Sequence, residues 1–382
     1  MRFPGFEEEW EKLKVRDFTK VVAGATPATD KKEYWGGAIR WMNSGELNLK
    51  RVYEVQGRIT QLGYDKTSTK IIPSHSVLIG LAGQGKTRGT AAINYVELCT
   101  NQSIASLLPS DSFYPEFLFQ NIESRYKELR DISSGDGGRG GLNLQMIYNL
   151  NIPRCSMQEQ KKIGDFLYLL DQRIAIQNKV IEDLKKLKTA LCESLYDESE
   201  PNYKMGDIIE QISIRNRQGD IYKVLSVSNQ LGFIEQSEQF EGRTIASQDT
   251  SNYKIVSLDD FAYNPARINV GSIARLKGFE KGIVSPMYVC FRCKKGILPD
   301  YLESFFDTDY FSIEMEKRIE GSVRMCLSFE GLCNIPIAIP DPQKQNDVAR
   351  KIQVLKDKIN LEESINKYLN FQKQSILYQL FI

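Results

Sequence analysis

IGDFLYLLDQRIAIQNKVIEDLKKLKTALCESL, residues 163–195, is the stretch that decides the architecture. Ile163, Leu167, Leu170, Ile174, Gln177, Ile181, Leu184, Lys188, Leu191 and Leu195 follow one another in alternating steps of four and three. That spacing is the a/d seam of a coiled-coil helix, about 50 Å long at 1.5 Å per residue. A shift of 185 residues finds the seam again in VARKIQVLKDKINLEESINKYLNFQKQSILYQL, residues 348–380. Its positions are Val348, Ile352, Leu355, Ile359, Glu362, Asn366, Leu369, Lys373, Ile376 and Leu380. Both seams carry a polar residue at the fifth place (Gln177, Glu362) and a lysine at the eighth (Lys188, Lys373). Unrelated helices rarely share the same defects. No proline or glycine interrupts 165–195, or the stretch from Val348 onward, so neither helix is broken by backbone chemistry. The seams alone also fit a generic helical hairpin or a homodimer zipper. Two matching helices in one chain are most simply satisfied as an antiparallel pair.

The repeat extends backward from the helices. Asn151-Ile152-Pro153 recurs as Asn334-Ile335-Pro336, and the Gln158–Gln160 triplet as Gln343–Gln345. Tyr114-Pro115-Glu116-Phe117-Leu118 resembles Leu298-Pro299-Asp300-Tyr301-Leu302, and Gly89-Thr90-Ala91-Ala92 resembles Gly271-Ser272-Ile273-Ala274. The chain thus reads as a domain at 1–153, a long helix at 154–200, a second domain at 201–339 and a second long helix at 340–382. Ile39–Met42, Val77–Ile79, Lys223–Val227 and Phe261–Tyr263 are strand candidates, and Pro115–Arg130 and Asp300–Glu320 read as amphipathic helices. The predicted class is α+β: two mixed domains, each followed by a long helix, the helices packing as an antiparallel coiled coil with pseudo-twofold repeat symmetry.

Of the 382 residues, 41% are hydrophobic and 10% aromatic, enough for each half to bury a core and too many for a disordered chain. Fifty basic residues against 49 acidic ones argue against a protein that coats nucleic acid by phosphate neutralisation alone. They leave room for a local basic surface. No apolar run nears the ~20 residues of a membrane span. The acidic, aromatic N-terminal stretch lacks the pattern of a signal peptide. Seven scattered cysteines fit reduced thiols, and a cytoplasmic location with no membrane partner is expected.

Some motifs point elsewhere when read alone. Gly80–Thr87 matches the P-loop pattern after a strand. A phosphate-binding loop must open a helix, whereas Arg88-Gly89-Thr90 leads into β-leaning residues, so a hairpin is predicted. Asn264-Pro265-Ala266-Arg267 is only part of an adenine methyltransferase motif. Cys290-Phe291-Arg292-Cys293 is a single CxxC without a partner pair, read as strand or core cysteines, and no metal site is assigned. His75, the one histidine, sits in a turn before a strand.

Two globular domains, each followed by a near-identical long helix, resemble the layout of type I restriction–modification DNA-specificity subunits. Val77–Gly80 with its glycine-rich loop, Pro265–Ser272, Gly321–Arg324 and the Asn-Ile-Pro passage into a Gln-x-Gln helix are similar to that family's local wording. The resemblance implies a non-catalytic subunit whose target recognition domains each read one half of a bipartite, asymmetric site in double-stranded DNA. The helices would space the halves and dock two modification subunits, and two restriction subunits can join. It implies no cofactor in this chain; S-adenosylmethionine, ATP and Mg2+ would act through other subunits. The DNA candidates are Lys86, Thr87, Arg88 and Arg139 in the first half, and Arg267, Asn269, Arg275 and Arg324 in the second. Arginine can read guanine, and asparagine adenine, with paired hydrogen bonds. The spacer residues are Ile163, Leu167, Leu170, Ile174, Leu184, Leu191, Val348, Ile352, Leu355, Ile359, Leu369 and Ile376. A coiled-coil scaffold that binds something other than DNA, and a P-loop ATPase, are the competing readings.

Overall fold

The computed structural model of the chain describes residues 3, 5–83, 87–133, 141–197, 200–229, 231–236, 249–321 and 325–381. The chain forms two compact units, Met1–Asn178 with Ser364–Ile382, and Lys179–Glu363. The boundaries read from the sequence separate domains from helices. The compact units instead divide both long helices near their middles.

The long helices are Met157–Asp197 and Pro342–Phe381. Each opens on a side-chain cap that occupies otherwise orphaned N–H groups. Ser156 Oγ accepts from the Glu159 N–H, and Asp341 Oδ1 accepts from Gln343 and Lys344 at 2.9 and 3.0 Å. Every seam residue whose side chain is described, from Ile163 to Leu191 and from Val348 to Leu380, is buried or half-buried.

In the first unit, five strands lie in the order Val21–Ala23, Ile104–Leu107, Val77–Gly80, Ala91–Asn94, Arg51–Val52. A smaller sheet joins Arg58–Ile59, Trp35–Met42 and Cys99–Thr100. Glu11–Lys14 pairs with Asn151–Arg154 at the foot of the domain. The second unit repeats the plan. Ile209–Ile212, Val289–Cys293, Phe261–Tyr263 and Ile273–Arg275 form one sheet, and Tyr203–Lys204 pairs with Pro336–Ile337.

The helices enter the cores at equivalent positions. Ile163, Leu167, Leu377 and Phe381 belong to the core of the first unit; Val348, Ile352, Cys192 and Tyr196 belong to that of the second. The second set is the first under the 185-residue repeat. Within the first unit Asp171 meets Lys373, and Asn178 accepts a hydrogen bond from Asn366 at 2.9 Å. The helices therefore run antiparallel there. Lys185 paired with Glu363 at 2.6 Å, and the core set Cys192, Tyr196, Val348 and Ile352, give the same sense within the second unit.

The Gln-x-Gln motif has a defined task. Gln160 is 1% exposed; its Oε1 accepts from the Tyr114 N–H at 2.8 Å, and its Nε2 donates to Ser112 O and Cys155 O at 3.1 and 2.9 Å. Gln345 is likewise 1% exposed, accepting from Leu298 N–H at 2.9 Å and donating to Gly296 O and Pro340 O at 3.3 and 2.9 Å. Tyr114 and Leu298 are the residues before helices Pro115–Ser124 and Pro299–Phe305. One glutamine thus staples the start of a domain helix to the start of a long helix, twice.

The two amphipathic helices read from the sequence are each broken. Pro115–Ser124 ends at Arg125, and Tyr126–Ile132 begins anew, turning Leu129 fully into the core. Pro299–Phe305 is separated from Asp309–Glu316 because Thr308 leaves the helical region, at φ −87 and ψ 150. Its hydroxyl caps the Phe311 N–H at 3.0 Å, a stronger local preference than helix continuation.

Candidate nucleic-acid interface

Val77–Gly80 and Ala91–Asn94 pair antiparallel, so the P-loop-like stretch is the connection of a hairpin, as its context predicts. Its glycines have a steric reason. A Cβ on Gly80 would fall 2.0 Å from Thr87 O, and one on Gly83 (φ 116) 1.9 Å from Thr87 Oγ1. Gly89 (φ 79) occupies the left-handed region at the far side of the turn. The second unit has the same device, Phe261–Tyr263 and Ile273–Arg275, with Gly271 (φ 84) at the position equivalent to Gly89. The Thr87 hydroxyl donates to Ala82 O at 3.0 Å and closes the first loop. Arg88 is half-buried beside it. Lys86, Arg139 and Arg324 lie outside the described residues.

Arg267 and Asn269 are exposed in the connection of the second hairpin. Asn264 is buried there; its Oδ1 accepts from the Ala266 N–H at 3.1 Å, so the partial methyltransferase motif is a turn. Arg275 departs from expectation. Its side chain is 6% exposed and faces Asp300 at 2.6 Å and Asp259 and Glu303 at 3.6 Å each. Burial works against its charge, and these carboxylates more than offset it, raising its pKa. A guanidinium so enclosed holds the hairpin strand to helix Pro299–Phe305 and does not reach bases, so Arg275 leaves the set of DNA candidates. Cys290 and Cys293 lie three apart on a strand, hence on opposite faces. Burial pushes both thiols up to about 12. Among the described residues no group of three or more His, Cys, Asp or Glu side chains is placed to hold a metal ion. His75 (φ 65) is a turn residue whose N–H donates to Asn94 O at 2.6 Å.

The lysine interruptions of the seams, Lys188 and Lys373, prove to be members of ion pairs that the sequence reading did not find. In the first unit Lys373 lies 2.6 Å from Asp171 and 3.2 Å from Glu123, while Lys50 meets Glu123 at 3.3 Å. Arg51 joins Asp171 (3.0 Å) to Glu116 (2.8 Å), and its guanidinium lies over the rings of Phe119 and Tyr168. Burial would lower the Lys373 ammonium, but Glu123 and Asp171 raise it. In the second unit Asp307 lies 3.1 Å from both Lys188 and Lys356. Burial would raise its carboxyl; the two lysines outweigh that and hold it below its ordinary value. The signal was present in the repeat: Glu123 and Asp307 correspond at a shift of 184, Lys188 and Lys373 at 185.

The helices also carry apolar side chains outside the seam. Leu169, Ile176, Val180 and Leu187 are 61, 65, 38 and 53% exposed, at steps of seven, four and seven that keep them on one stripe. Val354 and Leu361, the repeats of Leu169 and Ile176, are 62 and 55% exposed.

Residues 7–186 match the family model described as type I restriction modification DNA specificity domain. That match takes in a little under half of the chain. Among curated proteins, the MjaIX type I restriction enzyme specificity subunit of Methanocaldococcus jannaschii is 30% identical over 199 residues, 51% of this chain and 45% of the relative. The EcoR124I/EcoR124II specificity subunit of Escherichia coli is 25% identical over 190 residues, 49% of this chain and 46% of the relative. The chain spans about half the length of these curated relatives. A crystal structure of the type I restriction–modification S subunit from M. genitalium has the same fold, with a TM-score of 0.64 at 14% identity over 100% of this chain and 99% of that one. The matched stretch includes the first hairpin and most of the first long helix, and the second unit repeats the strand order of the first.

Proposed function

We propose that the chain is the non-catalytic specificity subunit of a type I restriction–modification complex. Each unit reads one half of a split, asymmetric site in double-stranded DNA. The observation that carries this reading is the duplication: two like domains, each stapled to the helix pair by an equivalent glutamine, each presenting a hairpin turned at an equivalent glycine. One chain with two different reading heads suits one asymmetric site, as two identical heads suit a palindrome. In the first unit Thr87, Arg88, Lys86 and Arg139 are the contacts proposed, in the second Arg267, Asn269 and Arg324. The hairpins, through Lys86, Thr87, Arg88, Arg267 and Asn269, and the separate stretches that carry Arg139 and Arg324 contribute phosphate contacts and base contacts.

The exposed stripes around Leu169 and Ile176, and around Val354 and Leu361, support docking of two modification subunits. Those subunits would bring S-adenosylmethionine chemistry to adenine, and restriction subunits would bring ATP and Mg2+. The helix pair would set the interval between the half-sites.

Co-expression with the neighbouring modification subunit, followed by genome-wide mapping of N6-methyladenine, tests the proposal. Methylation confined to one split, asymmetric motif is the expected result. A stable complex that methylates no such motif would leave the chain as a scaffold, and failure to form any complex would remove the partner assignment.

A further inference from the structure

In each unit one short helix, Pro115–Ser124 or Pro299–Phe305, is tied to the long helices near both of its ends. Gln160 and Gln345 hold the N-terminal ends through Tyr114 and Leu298. Glu123 and Asp307 hold the other ends through the seam lysines Lys373 and Lys188. The two ties lie nine residues apart in each unit, from Tyr114 to Glu123 and from Leu298 to Asp307, roughly 13 Å at 1.5 Å per residue. One attachment would leave the domain free to pivot; two define its rotation. The same short helix packs against the second strand of the hairpin in each unit, Ala91–Asn94 or Ile273–Arg275. A rotation of the helix therefore carries the hairpin with it.

The chemistry of the second tie also argues for a geometric role. Glu123 and its lysine are half-buried and Asp307 and its lysine partly exposed. Ion pairs of that kind add little stability, but they hold a set distance between two charged groups, whereas apolar contacts slide. The repeat preserves this pairing while its surroundings change. The position that is Asp171 in the first unit is Lys356 in the second, yet the domain carboxylate and the seam lysine persist.

We propose that Glu123 and Asp307 are positioning residues, each fixing the rotation of its own domain on the helix pair and so the frame in which its hairpin meets DNA. The inference rests on the reading of the two units as half-site readers. It is tested in the full chain with its modification subunit, using Glu123→Gln and Asp307→Asn. Asp307→Asn is expected to reduce discrimination against single mismatches roughly tenfold in one half-site and leave the other half-site as in the parent, with Glu123→Gln doing the reverse. Conservative Glu123→Asp and Asp307→Glu restore most of that discrimination. Unchanged discrimination at both half-sites, whatever the loss of thermal stability, overturns the proposal.

A second measurement needs no DNA. Genetically encoded nitroxides at Ser68 and Lys367, both exposed in the first unit, report the domain-to-helix distance. Glu123→Gln should broaden that distribution, and an unchanged distribution overturns the positioning role. Broadening together with a parent complex that methylates no split motif would instead strike the underlying functional reading and leave the clamp standing.

Discussion

Replacing Gln160 with methionine keeps the length of the side chain and removes all three of its hydrogen bonds. The Tyr114 N–H would lose the acceptor that Gln160 supplies, and Ser112 O and Cys155 O would each lose one donor. A buried orphaned N–H costs about 2 kcal/mol, and each under-satisfied carbonyl somewhat less than 1, because a carbonyl tolerates a missing partner better. The sum is about 3 kcal/mol. Urea unfolding of the full chain, followed by circular dichroism at the helix band, reads this directly. With a slope of about 2 kcal/mol per molar, the midpoint should fall by about 1.5 M. Gln345→Met should behave alike, since its contacts are the same in kind. Gln158→Ala, two residues earlier and exposed, should stay within about 0.5 kcal/mol. A Gln160→Met midpoint within about 0.5 M of the parent, at unchanged slope, would refute the argument. It would mean that water enters and satisfies the groups the glutamine was said to hold.

The remaining expectations concern acid, packing and contact. Asp307 has its carboxyl held below its ordinary value in the fold, so the unfolded chain binds the proton more readily. Its contribution is complete above about pH 4 and is lost as pH falls through the folded value. Asp307→Asn should therefore flatten the acid side of the stability profile, measured as urea midpoints between about pH 3 and 7, while a parallel profile would contradict the assignment. Leu167→Ala, at a fully buried seam position, should cost about 2–5 kcal/mol in thermal or urea unfolding. Leu169→Ala, two residues on and 61% exposed, should leave the isolated chain within about 0.5 kcal/mol yet weaken co-purification of the modification subunit. Arg267→Ala should relax reading at one position of a half-site, or reduce the salt slope of DNA binding by about 1 if it contacts phosphate, with unfolding unchanged. Loss of folding in that variant would class it with Arg275.

Periodicity made the long helices legible because burial on a helix has a fixed repeat, and every described seam residue from Ile163 to Leu380 is withdrawn from solvent. The hairpin that mimics a P-loop was legible because Gly89 precedes β-branched and small residues and not a helix. Long-range pairing was not legible. Lys188 and Lys373 looked like flaws in a seam because their carboxylates lie on a different element, Asp307 at 119 residues' separation and Glu123 at 250. Arg275 looked like an exposed reader because nothing local announces that Asp259, Asp300 and Glu303 converge on it. The breaks at Arg125 and Thr308 lie inside otherwise helical patterns, where capping and core geometry decide and hydrophobic spacing does not.

Phe381 meets Phe117 edge-on at 5.3 Å, and Leu377 shares its core with Phe113 and Ile152. The unit that begins the chain thus contains residues 364–382, which a ribosome adds only after all of Lys179–Glu363 has been made. During synthesis the first domain emerges early with a core it cannot close, and it must keep that apolar surface exposed, or chaperoned, while the second unit is translated. A nonsense codon at residue 364 would consequently do its damage at the far end of the map, leaving the second unit's sequence whole and the first unit's interior unfilled.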